Sequence, residues 1–122
     1  MKVLAIICHP DDMELTCGGA LLKYKKAGHD VTVCNVANGN MGHYSIMPDE
    51  LRVMRRKEAE NACAIGGSKS VTADIGDLTV NSADLEQVKK LIKIIINFSL
   101  YFIFFVAYYI SYFFFIENNR TI

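Results

Sequence analysis

A short group of ionisable side chains follows the first apolar run of the chain. From His9 to Glu14 the sequence reads His-Pro-Asp-Asp-Met-Glu, so one imidazole and three carboxylates fall within six residues. Carboxylates this close repel one another unless protons or a cation offset their charge. Histidine nitrogen and aspartate oxygen are zinc ligands, and an adjacent carboxylate can act as a general base toward water. The spacing therefore indicates metal-assisted hydrolysis.

The same residues also fit a purely structural interpretation. Asp11 or Asp12 can cap the N-terminus of a helix, and Glu14 suits the positive end of the helix dipole. A His-Pro turn followed by such a cap requires no ligand. The residues alone do not distinguish a metal site from a helix cap.

The elements that must position this group alternate between strand and helix. Apolar and β-branched runs predict strands at residues 3–8, 30–36 and 70–73. Capping residues and glycine stops predict helices at about 12–26, 48–65 and 84–92. This order predicts an α/β fold, a truncated Rossmann-like parallel sheet with flanking helices. Ligands of such sheets bind at the carboxyl ends of the strands, where the His9–Glu14 group falls.

Composition excludes several classes of protein. Thirteen Lys and Arg balance thirteen Asp and Glu, which argues against a nucleic-acid binder that relies on a basic face. The hydrophobic fraction of 52% argues against intrinsic disorder. The four cysteines form no C-x-x-C pair, which is typical of reduced thiols in a cytoplasmic protein. No G-x-G-x-x-G follows the first strand, so a nucleotide-binding Rossmann module is the weaker alternative.

The motif and several later segments resemble one known family. Beyond the His9–Glu14 hexapeptide, they include Cys-Gly-Gly at residues 17–19, Gly-His-Asp-Val-Thr-Val at 28–33, Asn-Gly at 38–39, R-x-x-E-A at 55–59 and Gly-Asp at 76–77. Together they resemble the PIG-L/LmbE-like family of zinc-dependent de-N-acetylases, in register over about residues 2–92. Because the hexapeptide is a specific motif, the resemblance favours the metal site over the cap.

The resemblance assigns roles within the hexapeptide. His9 and Asp12 match the first two zinc ligands of the family. Asp11 matches the catalytic base, which takes a proton from the attacking water and passes it to the leaving amine. Glu14 matches the last motif position, and we expect it to support the loop from outside the metal ligands.

The resemblance also implies a substrate. The family removes an N-acetyl group, so we expect a small N-acetylated sugar, one that contains N-acetylglucosamine, and no nucleic acid. Arg55 and Asp77 match residues that lie near this sugar in the family. Without the resemblance, Arg55 would be read as part of a surface ion pair and Asp77 as a turn residue.

The chain departs from the family pattern toward its C-terminus. The resemblance implies a third zinc ligand, a histidine in an H-x-x-H-like motif, and no histidine follows His43. Residues 94–116 carry no charge, so we divide the chain into a partial deacetylase domain at 1–93 and an apolar tail at 94–122. The tail fits an out-of-frame reading, a membrane segment over 94–116, or a divergent core. We expect the chain to be inactive alone; the alternative is a non-catalytic, membrane-tethered or pseudogene-like product.

Overall fold

Strands and helices alternate along the chain as the sequence predicts. The structure is a computed structural model that describes residues 1–98 and the backbone of residues 103–106. Its elements in chain order are β1 (Lys2–Ile7), α1 (Asp12–Thr16), α2 (Gly18–Lys26), β2 (Asp30–Ala37), α3 (Pro48–Ile65), β3 (Lys69–Ile75), α4 (Leu85–Phe98) and β4 (Ile103–Val106). The predicted α/β class and the three predicted strands are confirmed.

The described strands form one parallel sheet in the order β3-β2-β1-β4. The register of β1 on β2 runs from Lys2 opposite Asp30 to Ile7 opposite Asn35. Strand β4, which the sequence analysis did not predict, pairs with β1 on its other side. Because all strands point the same way, the loops after β1, β2 and β3 meet at one edge of the sheet.

The core lies on both faces of the sheet. Strand residues alternate between the two faces, so one face of β1 packs toward α2 and α3 and the other toward α4. The first cluster comprises Val3, Ala5, Ile7, Cys17, Leu21, Val31, Val33 and Cys63. The second comprises Leu4, Ile6, Cys34, Val36, Ala73 and Ile75. Burial on both faces explains why β1 and β2 read as continuous apolar runs.

The first predicted helix is two helices. Cys17 separates α1 from α2 with φ −139° and ψ 1°, and α2 begins at Gly18. The Gly18-Gly19 pair therefore starts a helix, whereas the sequence predicts one continuous helix through it. Glycine destabilises a helix less at its terminus than in its interior. The pair therefore costs less here than it would in the middle of one continuous helix.

The start of the uncharged segment continues the last helix. Within α4, Ile94, Ile95 and Phe98 are half-buried and pack against the second core cluster. None of the helices in the described part of the chain has the length and apolarity needed to cross a membrane. Apart from the backbone of 103–106, the rest of the predicted tail, residues 99–102 and 107–122, lies outside the described residues.

Candidate active site

The loop after β1 folds back on itself and brings His9 and Asp12 together. The His9 N–H donates to Asp12 Oδ2 at 2.8 Å, and His9 Nδ1 lies 3.5 Å from the same oxygen. Asn35, at the end of β2, donates from its Nδ2 to the His9 carbonyl at 2.9 Å. This hydrogen bond from the neighbouring strand therefore fixes the position of the His9 backbone at the edge of the sheet.

The donor atoms around His9 partly match the ligand set of a zinc ion. Cys8 Sγ, a His9 ring nitrogen and an Asp12 oxygen lie within 4.8 Å of one another. Asp12 faces Nδ1 of the ring, whereas Cys8 Sγ lies 3.7 Å from Nε2. Nitrogen and oxygen donors that are partly open to solvent suit zinc. His9 and Asp12 thus offer two donor side chains, where catalytic zinc sites commonly have three protein ligands.

The surroundings of Cys8 favour the protonated form of its thiol. Burial, reinforced by the negative charges of Asp12 and Asp77, raises the pKa of Cys8 to about 11. In the absence of a bound cation the thiol therefore keeps its proton near neutral pH. This agrees with the reduced thiols that the sequence predicts.

Asp11 points away from Asp12 and pairs with α3. Its carboxylate accepts a hydrogen bond from Arg55 Nη2 at 2.7 Å, and its side chain is 65% exposed. Arg55 also donates from Nη1 to Glu58 at 2.7 Å. Neither Asp11 nor any other side chain makes a capping hydrogen bond at the start of α1. The geometry therefore offers no support for the helix-cap interpretation.

Asp77 ties the loop after β2 to the loop after β3. Its side chain is 10% exposed, and its two oxygens accept the N–H groups of Gly39 at 3.0 Å and Met41 at 3.1 Å. Its own N–H donates to Asn40 Oδ1 at 2.9 Å. Asp77 Oδ1 also lies 4.0 Å from His9 Nε2. The carboxylate stands beside the site, with its lone pairs directed mainly at the loop.

Most of the predicted site residues line one cleft. His9, Asp11, Arg55 and Asp77 share an open cleft of about 650 Å³ between the loop after β1, the loop after β2 and α3. Asp12 lies beside it in contact with His9. Glu14 instead lines a separate groove between α2 and α3 and makes no hydrogen bond within the described residues. Its support of the loop stays a prediction.

One residue that the sequence analysis did not single out organises this edge of the sheet. Asp74, at the end of β3, accepts hydrogen bonds from Asn38 Nδ2 at 3.2 Å and from the Arg52 guanidinium. The Arg52 hydrogen bond holds the pKa of Asp74 below its usual value. Its φ of 54° lies in the left-handed region, which aspartate tolerates better than most residues. The only signal in the sequence is an aspartate beside a predicted strand end.

Comparison with known proteins identifies the family. The PIG-L family, described as GlcNAc-PI de-N-acetylase, matches residues 4–108. The diacetylchitobiose deacetylase of Thermococcus kodakarensis is 35% identical over 79 residues, covering 62% of this chain and 30% of the relative. The structure of N,N'-diacetylchitobiose deacetylase from Pyrococcus horikoshii matches with a TM-score of 0.71 and 33% identity, covering 77% of this chain and 36% of that one.

A more distant structure shares the fold alone. The 4-carboxy-2-hydroxymuconate hydratase of Pseudomonas putida KT2440 matches with a TM-score of 0.74 at 24% identity, covering 84% of this chain and 46% of that chain. The chain thus spans less than half the length of each of these relatives. The match over residues 4–108 confirms the resemblance that the hexapeptide indicated. The chain belongs to the PIG-L family.

Proposed function

We propose that this chain carries part of the active site of a zinc-dependent hydrolase that removes the acetyl group from an N-acetylated sugar. The observation that carries the proposal is the divergence of the adjacent carboxylates of Asp11 and Asp12. Asp12 turns toward His9, and Asp11 turns toward Arg55 and the open cleft. A metal ligand and a proton-transfer group need this separation, because one carboxylate cannot serve both roles well.

His9 and Asp12 would hold the zinc ion. When bound, zinc supplies a Lewis acid that polarises the amide carbonyl and favours ionisation of water. Asn35 and the His9 N–H fix the two donors relative to each other before any metal arrives. Groups that hydrogen-bond to metal ligands commonly orient those ligands in this way.

Asp11 would handle the protons of the reaction. The carboxylate takes a proton from the attacking water as its oxygen bonds to the acetyl carbon, and it returns that proton to the nitrogen as the carbon–nitrogen bond breaks. Acetic acid and a free amine are the immediate products, the acid passes its remaining proton to the amine in water to give acetate and an ammonium group, and Asp11 ends as it began. Arg55 holds the carboxylate at 2.7 Å and thereby sets the direction from which it meets the water.

The substrate class follows from the family and the cleft. Two relatives that are 35% and 33% identical to this chain over the matched residues are named diacetylchitobiose deacetylases. A cleft of about 650 Å³ falls in the range of small-molecule sites. The fold is shared with a hydratase, so the fold does not select the reaction; the hexapeptide and its geometry support deacetylation.

A chimeric enzyme tests the proposal. The 79-residue matched segment of the Thermococcus kodakarensis deacetylase is replaced by that of this chain. We expect zinc-dependent release of acetate from diacetylchitobiose, because the remainder of the relative completes the site. In the chimera, Asp11→Asn should lower the rate by about 10²- to 10⁴-fold. A folded, zinc-loaded chimera that releases no acetate would contradict the proposal.

A further inference from the structure

We infer that His43 is a substrate-positioning residue that presents its Nε2–H to an oxygen of the N-acetylated sugar. The inference rests on the proposed function and adds a residue to it. His43 lies in the loop between β2 and α3 and lines the same cleft as Asp11 and Arg55. A histidine in a polar loop is otherwise typical of a solvated surface residue, so its orientation decides between the two interpretations.

Hydrogen bonds fix which nitrogen of His43 carries the proton. Nδ1 accepts the backbone N–H of Ser45 at 3.2 Å and that of Ile46 at 3.2 Å, with Ser45 Oγ at 3.3 Å. A ring nitrogen that accepts backbone N–H groups carries no hydrogen of its own, so the neutral ring is protonated on Nε2. Among the described residues, Nε2 has no hydrogen-bond partner, so its donor is available to a ligand.

Contacts within the loop set the orientation of the His43 ring. The Tyr44 ring stacks on the imidazole with a centroid distance of 5.0 Å and an interplanar angle of 12°. Asp77 anchors the start of the same loop through the N–H groups of Gly39 and Met41. The stack and the Nδ1 contacts together leave Nε2 as the free edge of the ring. A donor fixed in this way loses less entropy on binding than a mobile side chain.

The other charged side chains that line the cleft leave few hydrogen-bond donors free. Its other ionic groups are the carboxylates of Asp11, Glu58 and Asp77, which accept hydrogen bonds, and the Arg55 guanidinium, which is engaged with two of them. An N-acetylated sugar presents hydroxyl groups and an acetyl oxygen, both of which accept hydrogen bonds. The His43 Nε2–H supplies the complementary donor on the loop side of the cleft.

A pair of substitutions separates substrate binding from loop support. The amide of His43→Asn can accept the loop N–H groups but has no atom at the Nε2 position, whereas the amide of His43→Gln can reach that position. Binding of N-acetylglucosamine to the 122-residue chain is measured by NMR titration with zinc present, in a detergent that keeps the chain dispersed. We expect His43→Asn to weaken binding by about 3- to 10-fold, the value of one hydrogen bond, and His43→Gln to retain it.

Controls distinguish this inference from the proposed function. His29→Asn, in the turn before β2 and outside the residues that line the cleft, should bind the sugar like the unmodified chain. At alkaline pH, long-range ¹H–¹⁵N spectra should show the Nε2–H tautomer of His43. The Nδ1–H tautomer, or sugar binding unaffected by His43→Asn, would overturn the role of His43 alone. An unmodified chain that binds no sugar would overturn the proposed substrate class and, with it, this inference.

Discussion

Asp11 and Asp12 are neighbours in the chain, yet their side chains belong to different parts of the structure. The Asp12 carboxylate closes the loop on the His9 N–H and ring, whereas the Asp11 carboxylate contacts a helix that begins dozens of residues later. Nothing in two consecutive aspartates specifies which one turns which way; the contact with Arg55 does. At the scale of single residues, the proposed roles therefore depend on a tertiary contact.

The four cysteines allow a test of side-chain environment. Burial raises the pKa of Cys8 and of Cys34 to about 11, and all four thiols are buried. We expect slow alkylation by iodoacetamide at pH 8 in the native chain and rapid alkylation of all four thiols in denaturant.

The same shifts predict a loss of stability in alkali. A thiol whose pKa is raised by folding stabilises the native state fully below its unfolded pKa of about 9, and this contribution is lost as the pH rises toward 11. The free energy of unfolding should therefore fall above pH 9. Fast alkylation of Cys8 or Cys34 at pH 8, with an unchanged circular dichroism spectrum, would contradict the burial described here.

The loop after β2 depends on a glycine at residue 39. Gly39 has φ +75°, and a Cβ at this position would lie 3.2 Å from Arg55 Cγ and 3.3 Å from Pro10 Cδ. Gly39→Ala should lower the free energy of unfolding in urea by about 1–2 kcal/mol, because alanine is strained in this backbone conformation. Gly42→Ala is the matched control, since its nearest neighbour lies at 3.6 Å. Equal effects of the two substitutions would contradict the loop conformation.

The pairing of α3 with the end of β3 predicts a dependence of stability on pH. Because Arg52 holds the pKa of Asp74 below its usual value, the ionised carboxylate stabilises the fold above the unfolded pKa of about 4. This contribution is lost as the pH falls through the lower folded pKa. Because Arg52 is 45% exposed and water screens the pair, Asp74→Asn should reduce the free energy of unfolding at pH 7 by about 0.5–1.5 kcal/mol. The difference between variant and unmodified chain should shrink in acid.

An exposed ion pair provides the control for Asp74. Asp30→Asn breaks a pair with Lys69 at 3.0 Å on the surface, where ion pairs contribute little, and should change stability far less. Asparagine tolerates the positive φ at residue 74, so Asp74→Asn isolates the charge. If Asp74→Asn lowers the free energy of unfolding by the same amount at pH 7 and at pH 3, the charge of Asp74 is not the cause of the loss.

Elements with local signals could be predicted, and elements set by distant contacts could not. Strands β1 and β2 follow from continuous apolar runs, and α3 follows from a proline at its first turn and glycines at its end. The break at Cys17 has no such signal. Strand β4 lies in an apolar segment where composition does not distinguish a strand from a buried or membrane helix. Asp74 and His43 depend on backbone and loop geometry that spacing does not encode.

At the scale of the whole molecule, the described part of the chain carries exposed apolar surface. Leu85, Ile92 and Ile96 on α4 are exposed, and β3 stands at the edge of the described sheet. Exposed apolar faces and open strand edges favour association. We expect the 122-residue chain to form oligomers or aggregates in size-exclusion chromatography, and detergent to reduce their size.

The same chain should release no acetate from diacetylchitobiose. The described residues provide two suitable zinc ligands, fewer than the three of a typical catalytic site. The assay uses the chain with added zinc and the Thermococcus kodakarensis enzyme as the positive control. A monodisperse, detergent-free monomer that releases acetate would contradict both expectations about the isolated chain.

Calorimetric zinc titration of the chain and two single variants, all dispersed in the same detergent, tests the division of roles between Asp11 and Asp12 most directly. We expect weak, micromolar binding by the unmodified chain, because two ligands act without a third. Asp12→Asn should abolish this binding, since it removes a ligand, whereas Asp11→Asn should leave the dissociation constant within about 3-fold. Binding that survives Asp12→Asn and disappears in Asp11→Asn would contradict the assigned roles.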